Sequence, residues 1–414
     1  MRNHPRSALL TPFEVRSFRF QFPADMLTSW AIEMEIIILG WYILVETGSV
    51  LLLTLYGALQ YLGTLIAPML GLAGDRFGHR NVLCAMRATY ACLAVTLTVL
   101  SMLHAVNAGV VFAIATVSGL IRPSDLAMRN AIVAETMPSD RLMGAMGVSR
   151  TTSDSARIVG ALAGATVFGL LGMGWAYLVV SVFYTGGFCL TLGVGAARSR
   201  GDRLARMSMW RDLKEGMHYI ADSPQSLAAM LLAFMVNMTA FPMTLGLLPF
   251  VARNIYHIGQ TGLGTLSASF AAGALTGSIA VSMAGRRLRP ARMMMIFAVV
   301  WYLLVLAFVW MPTPALGRVM LVAAGLAQSL SMVPMAVMLL HSAGPQFRGR
   351  VMGVRMLAIY GLPIGLISAG WLIERLGFAG MATSYCAVGL IATVAIWVRW
   401  RAALWPKDAA ANAR

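Results

Sequence analysis

Two glutamates, Glu33 and Glu35, interrupt an otherwise apolar run between residues 25 and 45, and they are the side chains best suited to proton chemistry. A charge in hydrocarbon costs several kcal/mol, so an acid found there is a functional candidate. A carboxyl group in such surroundings can take up and release protons. Because they are two residues apart, they point to nearly opposite sides of a regular helix, so one is expected to face a cavity. The sequence does not decide which, and a hydrogen-bonded acid at a helix contact is the alternative for either.

A second set of charges alternates bases with acids along two later apolar segments: Arg122, Asp125 and Arg129, then Arg150, Asp154 and Arg157. Each acid has a base three or four residues away on the same helical face, and neutralisation within each helix would explain the pattern. The arginines nevertheless outnumber the acids, four to two. This excess predicts a site for an anionic group. We treat these residues and Asn237 as candidates for the lining of a polar cavity.

The composition indicates which elements position these side chains. Hydrophobic residues make up 59% of the chain and charged residues only 12%, about half the charged share of a soluble domain. A helix of about 20 apolar residues crosses a bilayer. The hydropathy pattern therefore predicts an all-α membrane protein with twelve transmembrane helices, near residues 25–45, 49–70, 82–103, 108–133, 142–171, 174–196, 226–252, 262–284, 293–312, 315–341, 351–373 and 378–398.

Other residues that often carry chemistry are scattered. The four cysteines lie in apolar runs without paired spacing, so neither a disulfide framework nor a metal site is indicated. The six histidines fall on several helices, and no nucleophile, acid and base share a pattern. The sequence also lacks a nucleotide-binding loop. We therefore expect no cofactor, no enzymatic activity and no direct use of ATP.

The basic residues are distributed unequally between the loops, and this predicts an orientation. When loops are assigned to alternate sides, only Arg253, Arg318 and Arg375 of the 32 basic residues fall in loops on one side. Such a bias predicts that both termini lie in the cytoplasm and that the chain sits in the cytoplasmic membrane. It also explains the net charge of +16 without a nucleic-acid partner. We expect no secretory signal peptide, because the first twenty residues lack a cleavage pattern.

One hydrophilic stretch divides the chain into two halves that resemble each other. We predict an N-terminal six-helix half at residues 1–196, a cytoplasmic amphipathic linker at 197–225 and a C-terminal six-helix half at 226–414. At an offset of about 207 residues, Gly78-His79-Arg80 falls on Gly285-Arg286-Arg287, and Pro138 falls on Pro345. These matches predict two pseudo-symmetric halves, related by an axis along the membrane normal.

The stretch Gly71–Arg80, with the sequence GLAGDRFGHR, follows the second apolar segment. Its pattern resembles the loop between helices 2 and 3 of the major facilitator superfamily, the most specific signature of that family. The resemblance implies the major facilitator fold. In the family this cluster is a latch across the two halves, and it maps here onto Gly71, Asp75, Arg76, Gly78 and Arg80. Asp75 would be held by the helix N-terminus near Gly349, because the helix dipole favours an anion there.

The whole pattern is most similar to the exporter branch that includes the enterobactin, macrolide and lysophospholipid exporters. The segment Trp41–Ser49 and the stretch Arg348–Gly353 carry this similarity. It implies a secondary active transporter that exports a small molecule, drug-like, siderophore or lipid-like, by alternating access with proton antiport. The expected partners are therefore a small-molecule substrate, protons and the lipid bilayer. The alternative is an importer or facilitator of a small metabolite, since a fold does not fix direction.

Overall fold

The computed structural model describes residues 11–64, 66–195, 209–284, 289–342 and 348–405, and within these ranges the regular structure is helical, with no strand. The first half contains six α-helices: α1 (Arg16–Thr47), α2 (Val50–Leu59), α3 (Ala67–Phe77), α4 (His79–Met102), α5 (Ala108–Thr136) and α6 (Ser139–Leu192). The remaining α-helices are α7 (Met209–Asp222), α8 (Pro224–Thr239), α9 (Leu248–Phe250), α10 (Gln260–Ala284), α11 (Pro290–Val309), α12 (Pro314–Ser342), α13 (Arg348–Leu357), α14 (Gly361–Arg399) and α15 (Arg401–Leu404).

Two of these helices are interrupted by a glycine with positive φ. Helix α6 contains 54 residues, about 80 Å at 1.5 Å per residue, which far exceeds a bilayer. It breaks at Gly172, where φ is 79°, and α14 breaks at Gly377, where φ is 70°. Left-handed backbone of this kind favours glycine. Both breaks fall where the hydropathy pattern predicts the end of one span and the start of the next.

The number of membrane crossings agrees with the predicted fold. Within the described residues, nine helical segments are long and apolar enough to span a membrane. A bent pair, Val50–Thr64 with Met69–Phe77, adds a tenth. When the breaks at Gly172 and Gly377 each divide a segment in two, the count is twelve. The chain therefore has an all-α architecture with twelve membrane crossings, as its hydropathy predicts.

Helix boundaries depart from the predicted spans where packing or proline intervenes. Helix α1 begins at Arg16, earlier than the apolar run, because Phe18 and Phe22 extend its packing against Phe13. The second span is not one helix: a 3-10 turn at Leu62–Thr64 separates α2 from α3. The seventh span leaves α-helical geometry at Pro242, which opens a π-helical turn, as expected of a residue without an N–H.

Contacts between the described residues divide the chain into two compact units. The first unit takes residues 1–49, 59–203 and 257–268, and the second takes residues 50–58, 204–256 and 269–414. Helix α7 belongs to the second unit, where Ile220 is buried and the Tyr219 hydroxyl donates to the carbonyl of Ser342 at 2.8 Å. The earlier part of the predicted linker, residues 197–208, lies outside the described residues, as do Gly285–Arg287 and Pro345 of the repeat.

Both units contain helix crossings that require glycine, and one in each unit is matched by the repeat. In the first unit, Gly63 and Gly119 face the backbone of the opposite helix, and a Cβ on Gly119 would lie 3.2 Å from the Cα of Gln60. In the second unit, a Cβ on Gly325 of α12 would lie 2.8 Å from the backbone nitrogen of Ala274 on α10. Small residues allow membrane helices to approach this closely. The two crossings lie about one repeat offset apart, which supports the predicted kinship of the halves.

Candidate functional site

Four charged side chains from three helices form a buried cluster in the first unit. Asp25 lies on α1, Arg87 on α4, and Asp125 and Arg129 on α5, and none exposes more than 5% of its surface. Arg87 Nη2 donates to Asp25 Oδ1, and Arg129 Nε pairs with Asp125 Oδ2. Arg129 Nε also lies 3.6 Å from Asp25, and Arg87 Nε lies 4.0 Å from Asp125. Two acids thus meet two bases, and the cluster is neutral overall when all four are ionised.

Neutral polar groups surround this cluster. Arg87 Nη1 donates to Thr191 Oγ1 on α6, and Arg129 Nη1 donates to Ser29 Oγ at 2.6 Å. A cavity of about 160 Å³ between α5 and α6 reaches Asp25 and Arg129, and its polar lining also includes Asn130, Ser149, Thr152 and Ser153. Buried charges are tolerated in a membrane protein when they are paired or border such a cavity. The ion pairs here satisfy both conditions.

Glu35 forms a second polar group, ten residues further along α1. The Tyr184 hydroxyl donates to Glu35 Oε2 at 2.5 Å, and Arg122 Nη2 lies 3.3 Å from the same oxygen. Arg122 Nη1 also donates to Gln60 Oε1. The Tyr184 ring stacks on Tyr90, with ring centroids 5.3 Å apart. Glu35 is therefore held at a helix contact by an ion pair and a charge-assisted hydrogen bond.

Glu33 lies on another face of α1. It packs against the part of α6 that precedes the break at Gly172, which we call the first limb of α6. A Cβ on Gly160 would lie 2.9 Å from Glu33 Cβ. The Glu33 side chain is partly exposed, and no described side chain makes an ion pair or hydrogen bond with its carboxylate. Arg157 and Arg122 act on it through longer-range electrostatics, and both also act on Tyr61. The two glutamates thus have different surroundings, paired for Glu35 and unpaired within the described residues for Glu33.

The other predicted cavity residues differ in what the structure describes of them. Arg157 is exposed on the first limb of α6. The side chains of Arg150 and Asp154, on the same limb, lie outside the part of the chain whose side chains the structure describes. Asn237 belongs to the second unit, where its Nδ2 donates to the carbonyl of Ala233 within α8, at 2.8 Å.

Both arginines of α5 have acidic partners. Arg122 pairs with Glu35, and Arg129 pairs with Asp125 and Asp25. The sequence count did not include two of these three acids, because they lie on α1, far away along the chain. The anionic site predicted from the four arginines of the two segments stays a prediction.

The glycines of the Gly71–Arg80 motif have different roles. Gly78, with φ at 88°, makes the tight turn between α3 and α4. Gly71 and Gly74 of α3 differ in how closely other atoms approach them. A Cβ on Gly71 would meet no atom within 4 Å, whereas one on Gly74 would lie 2.7 Å from the His79 ring.

The charged residues of the motif contact His79 and the backbone. His79 Nδ1 lies 2.6 Å from Glu135 Oε1 on α5, and His79 Nε2 lies 3.5 Å from Asp75 Oδ1. Arg80 Nη2 donates to the carbonyl of Leu192 at 2.5 Å, and the Arg76 guanidinium lies 5.4 Å from the Phe77 ring centroid. The side chain of Asp75 is 65% exposed. The side chain of Met352, near the expected partner of Asp75, lies outside those described, so the latch stays a prediction.

Sequence reasoning missed two residues of the polar groups. Arg87 carried a signal, because it is the one charged residue in the segment 81–103 and a lone charge in an apolar run requires a partner. Tyr184 carried none, since a tyrosine in a membrane helix is ordinary. Among the described residues, no three His, Cys, Asp or Glu side chains lie close enough together to hold a metal ion.

Solved structures with the same fold are transporters. The nucleoside transporter NupG superposes with a TM-score of 0.72 at 13% identity, covering 93% of this chain and 99% of that one. The D-xylose–proton symporter gives 0.69 at 12% identity, covering 92% and 96%. The human organic anion transporter MFSD10 (TETRAN) gives 0.65 at 15% identity, covering 93% and 100%. At these identities the likeness shows the fold alone.

The sequence itself matches a family model. A search of curated protein sequences found no significant match. The model described as Major Facilitator Superfamily, in contrast, matches residues 22–360 and, in a second match, residues 226–413. Together these matches cover nearly the whole chain, and they agree with the twelve crossings and with the folds of the solved structures. The chain belongs to the Major Facilitator Superfamily.

Proposed function

We propose that this protein is a proton-driven exporter of a small molecule, and that Glu33 is the carboxylate that couples proton movement to transport. The observation that carries the proposal is the difference between the two glutamates of α1. Glu33 has no ion-pair partner among the described side chains, whereas Glu35 is tied to Arg122 and Tyr184. Membership of the transporter family does not specify the coupling site or the direction of transport, so both are part of this proposal.

The carboxylates of the two glutamates differ in their direct contacts. Glu35 is engaged by an ion pair with Arg122 and by a charge-assisted hydrogen bond from the Tyr184 hydroxyl. Glu33 makes no such direct contact in the described structure. The guanidinium groups of Arg122 and Arg157 act on it at longer range. A small movement of either arginine would therefore change the proton affinity of Glu33.

The direction of transport rests on the sequence. The segment Trp41–Ser49, the motif Gly71–Arg80 and the stretch Arg348–Gly353 resemble the exporter branch, whose substrates include siderophores, macrolides and lysophospholipids. Import is the second candidate, because the D-xylose–proton symporter has the same fold and couples its substrate to protons. Proton flux distinguishes the two directions: an antiporter exchanges protons for substrate, whereas a symporter carries both the same way.

Everted membrane vesicles with an acidified lumen provide the test. The acid-sensitive dye acridine orange reports the pH gradient while a catecholate siderophore, a macrolide and a lysophospholipid are added in turn. We expect one of them to dissipate the gradient and to accumulate in the lumen, and we expect an uncoupler to abolish its accumulation. Acidification of the lumen by added substrate would indicate symport, and equilibration without any response to the uncoupler would indicate a facilitator.

Two variants test the coupling site in the same vesicles. Glu33→Gln should abolish uphill accumulation while preserving exchange of labelled for unlabelled substrate, because an amide keeps hydrogen-bonding ability but does not titrate. Glu46→Gln is the matched control, since this exposed residue lies at the end of the same helix. If Glu33→Gln still concentrates substrate, the coupling carboxylate is another residue, and Asp154 is the next candidate.

A further inference from the structure

An apolar groove runs along the outer surface of the second unit between α11 and α14, and we call it the α11–α14 groove. Its deeper part, about 190 Å³, is lined by Met295, Ile296, Val299, Thr393, Trp397 and Trp405. Val394 joins it to a shallower part of about 620 Å³, which Leu390, Ile391, Ala395, Val398 and Arg399 line along α14. The two parts form one continuous apolar surface with arginine at one end.

Arginines over tryptophan rings surround that end of the groove. The Arg292 guanidinium lies 4.9 Å from the Trp405 ring centroid, and that of Arg401 lies 5.6 Å from the Trp397 ring centroid. Arg399 lies 5.5 Å from the Trp400 ring centroid. Segments 289–300 and 390–405, which form the groove and this end, contain no acidic residue. These two segments therefore carry an excess of positive charge, from Arg289, Arg292, Arg399 and Arg401.

The dimensions and the charge fit a phospholipid in one leaflet. From Arg399 to Leu390 the helix rises about 13 Å, at 1.5 Å per residue, which is close to half the hydrocarbon thickness of a bilayer. Tryptophan and arginine are the residues that anchor a protein at the level of lipid headgroups. An acyl chain would fill the apolar part and a phosphate would meet the arginines.

We propose that the α11–α14 groove is a binding site for an anionic phospholipid of the leaflet in which the basic loops of the chain lie. Charge complementarity is what selects this occupant over a zwitterionic lipid, because each basic residue near a membrane surface strengthens binding of anionic lipid roughly fivefold. The site is independent of the transport direction and of Glu33. It assigns a role to tryptophans and arginines of α14 and α15 that transport does not explain.

Native mass spectrometry of the purified chain, released from detergent with added phosphatidylglycerol or phosphatidylcholine, tests the proposal. We expect phosphatidylglycerol to be retained at low molar excess and phosphatidylcholine to be retained much less. In the double variant Arg399→Gln/Arg401→Gln, retention of phosphatidylglycerol should fall about tenfold or more. Equal retention of the two lipids by the native chain, or unchanged retention by the double variant, would overturn the proposal.

Two further variants separate a built site from general attraction between charges. Arg375→Gln is the matched control, because Arg375 lies 4.0 Å from the Trp371 ring centroid on the same helix but before the break at Gly377. It should leave phosphatidylglycerol retention unchanged. Val394→Trp fills the groove, keeps every arginine and should abolish retention. If the Val394→Trp variant retains lipid normally, the groove is not a lipid site. The same conclusion would follow if the native chain were a dimer in detergent and this substitution made it a monomer, because a second copy of the chain would then occupy the groove.

Discussion

Among the described side chains, five charged ones are buried in the first unit, whereas the buried polar side chains of the second unit are serines and threonines. The charged group comprises Asp25, Glu35, Arg87, Asp125 and Arg129. The second unit instead uses neutral hydrogen bonds, such as the 2.7 Å contact between Thr239 and the Tyr302 hydroxyl. Both units belong to one family fold and share a glycine crossing. The described part of the second unit is therefore packed without a buried charged side chain.

The repeat offset shows what replaces the charges. About 207 residues after Asp25 and Arg87 lie Leu232 and Met294, and both are fully buried in the second unit. Replacing a buried ion pair by packed apolar side chains is often neutral or stabilising. Because the described part of the second unit packs without such ion pairs, we infer that those of the first unit serve transport. Each of the following predictions tests this difference between the units.

The largest effect is expected when one partner of the buried pair is removed. Arg87→Met should destabilise the protein by about 3–5 kcal/mol, because it leaves a buried carboxylate without its closest partner. Adding Asp25→Leu should restore most of that loss, since the pair then has the residue types found in the second unit. Thermal unfolding in detergent, followed by size-exclusion chromatography, measures both.

The double variant also separates folding from function. We expect Asp25→Leu/Arg87→Met to be folded but to transport poorly, because the charges are retained for transport rather than for stability. If the double variant were as unstable as Arg87→Met alone, the charges would be structural, and the contrast between the two units would have no functional meaning.

A smaller effect is expected at the stacked tyrosines. Tyr184→Phe removes the donor to the Glu35 carboxylate and should cost about 1.5–3 kcal/mol, the range for hydrogen bonds to charged groups. Tyr90→Phe is the matched control, because the Tyr90 hydroxyl is buried and has no hydrogen-bond partner among the described residues. It should be neutral or slightly stabilising. Equal losses from both, in the same thermal unfolding measurement, would show that the rings rather than the bond to Glu35 matter.

These polar contacts mark the limit of what the sequence predicts. The spans, the reversals near Gly172 and Gly377, and the pairing of Asp125 with Arg129 all follow from patterns within one segment. The partners Arg87 and Tyr184 come from other helices, and they reach α1 only after the helices pack. The sequence left Glu33 and Glu35 undecided for the same reason, since their surroundings depend on which helix covers each face of α1.

The glycine crossings should respond alike in the two units, because this feature is shared. Gly119→Ala and Gly325→Ala each introduce a Cβ against the backbone of the facing helix, and overpacking of this kind costs about 1–3 kcal/mol. Gly147→Ala and Gly353→Ala are the controls, one in each unit, because a Cβ there meets no atom within 4 Å. Loss of stability in only one unit would contradict the shared crossing.

The smallest effect on stability is expected at the exposed ends of the repeats, where the units differ in charge but not in burial. Asp75 is 65% exposed, and Ser282, near its equivalent in the second unit, is exposed and donates only to the carbonyl of Ser278 at 3.0 Å. Exposed ion contacts contribute about 0–1 kcal/mol. Asp75→Asn and Ser282→Ala should both leave the unfolding temperature nearly unchanged.

Transport should separate these two variants. The amide of Asp75→Asn keeps the shape of the side chain but loses the charge on which the proposed latch depends, so transport in vesicles should slow at least tenfold, about 1.4 kcal/mol. Ser282→Ala removes no charge, and its transport should remain near normal. If both variants lost transport to the same extent, the charge of Asp75 would not be the cause. A large loss of stability in Asp75→Asn would show that exposed charges of the first unit also contribute to folding. The contrast between its buried and its exposed charges would then not hold.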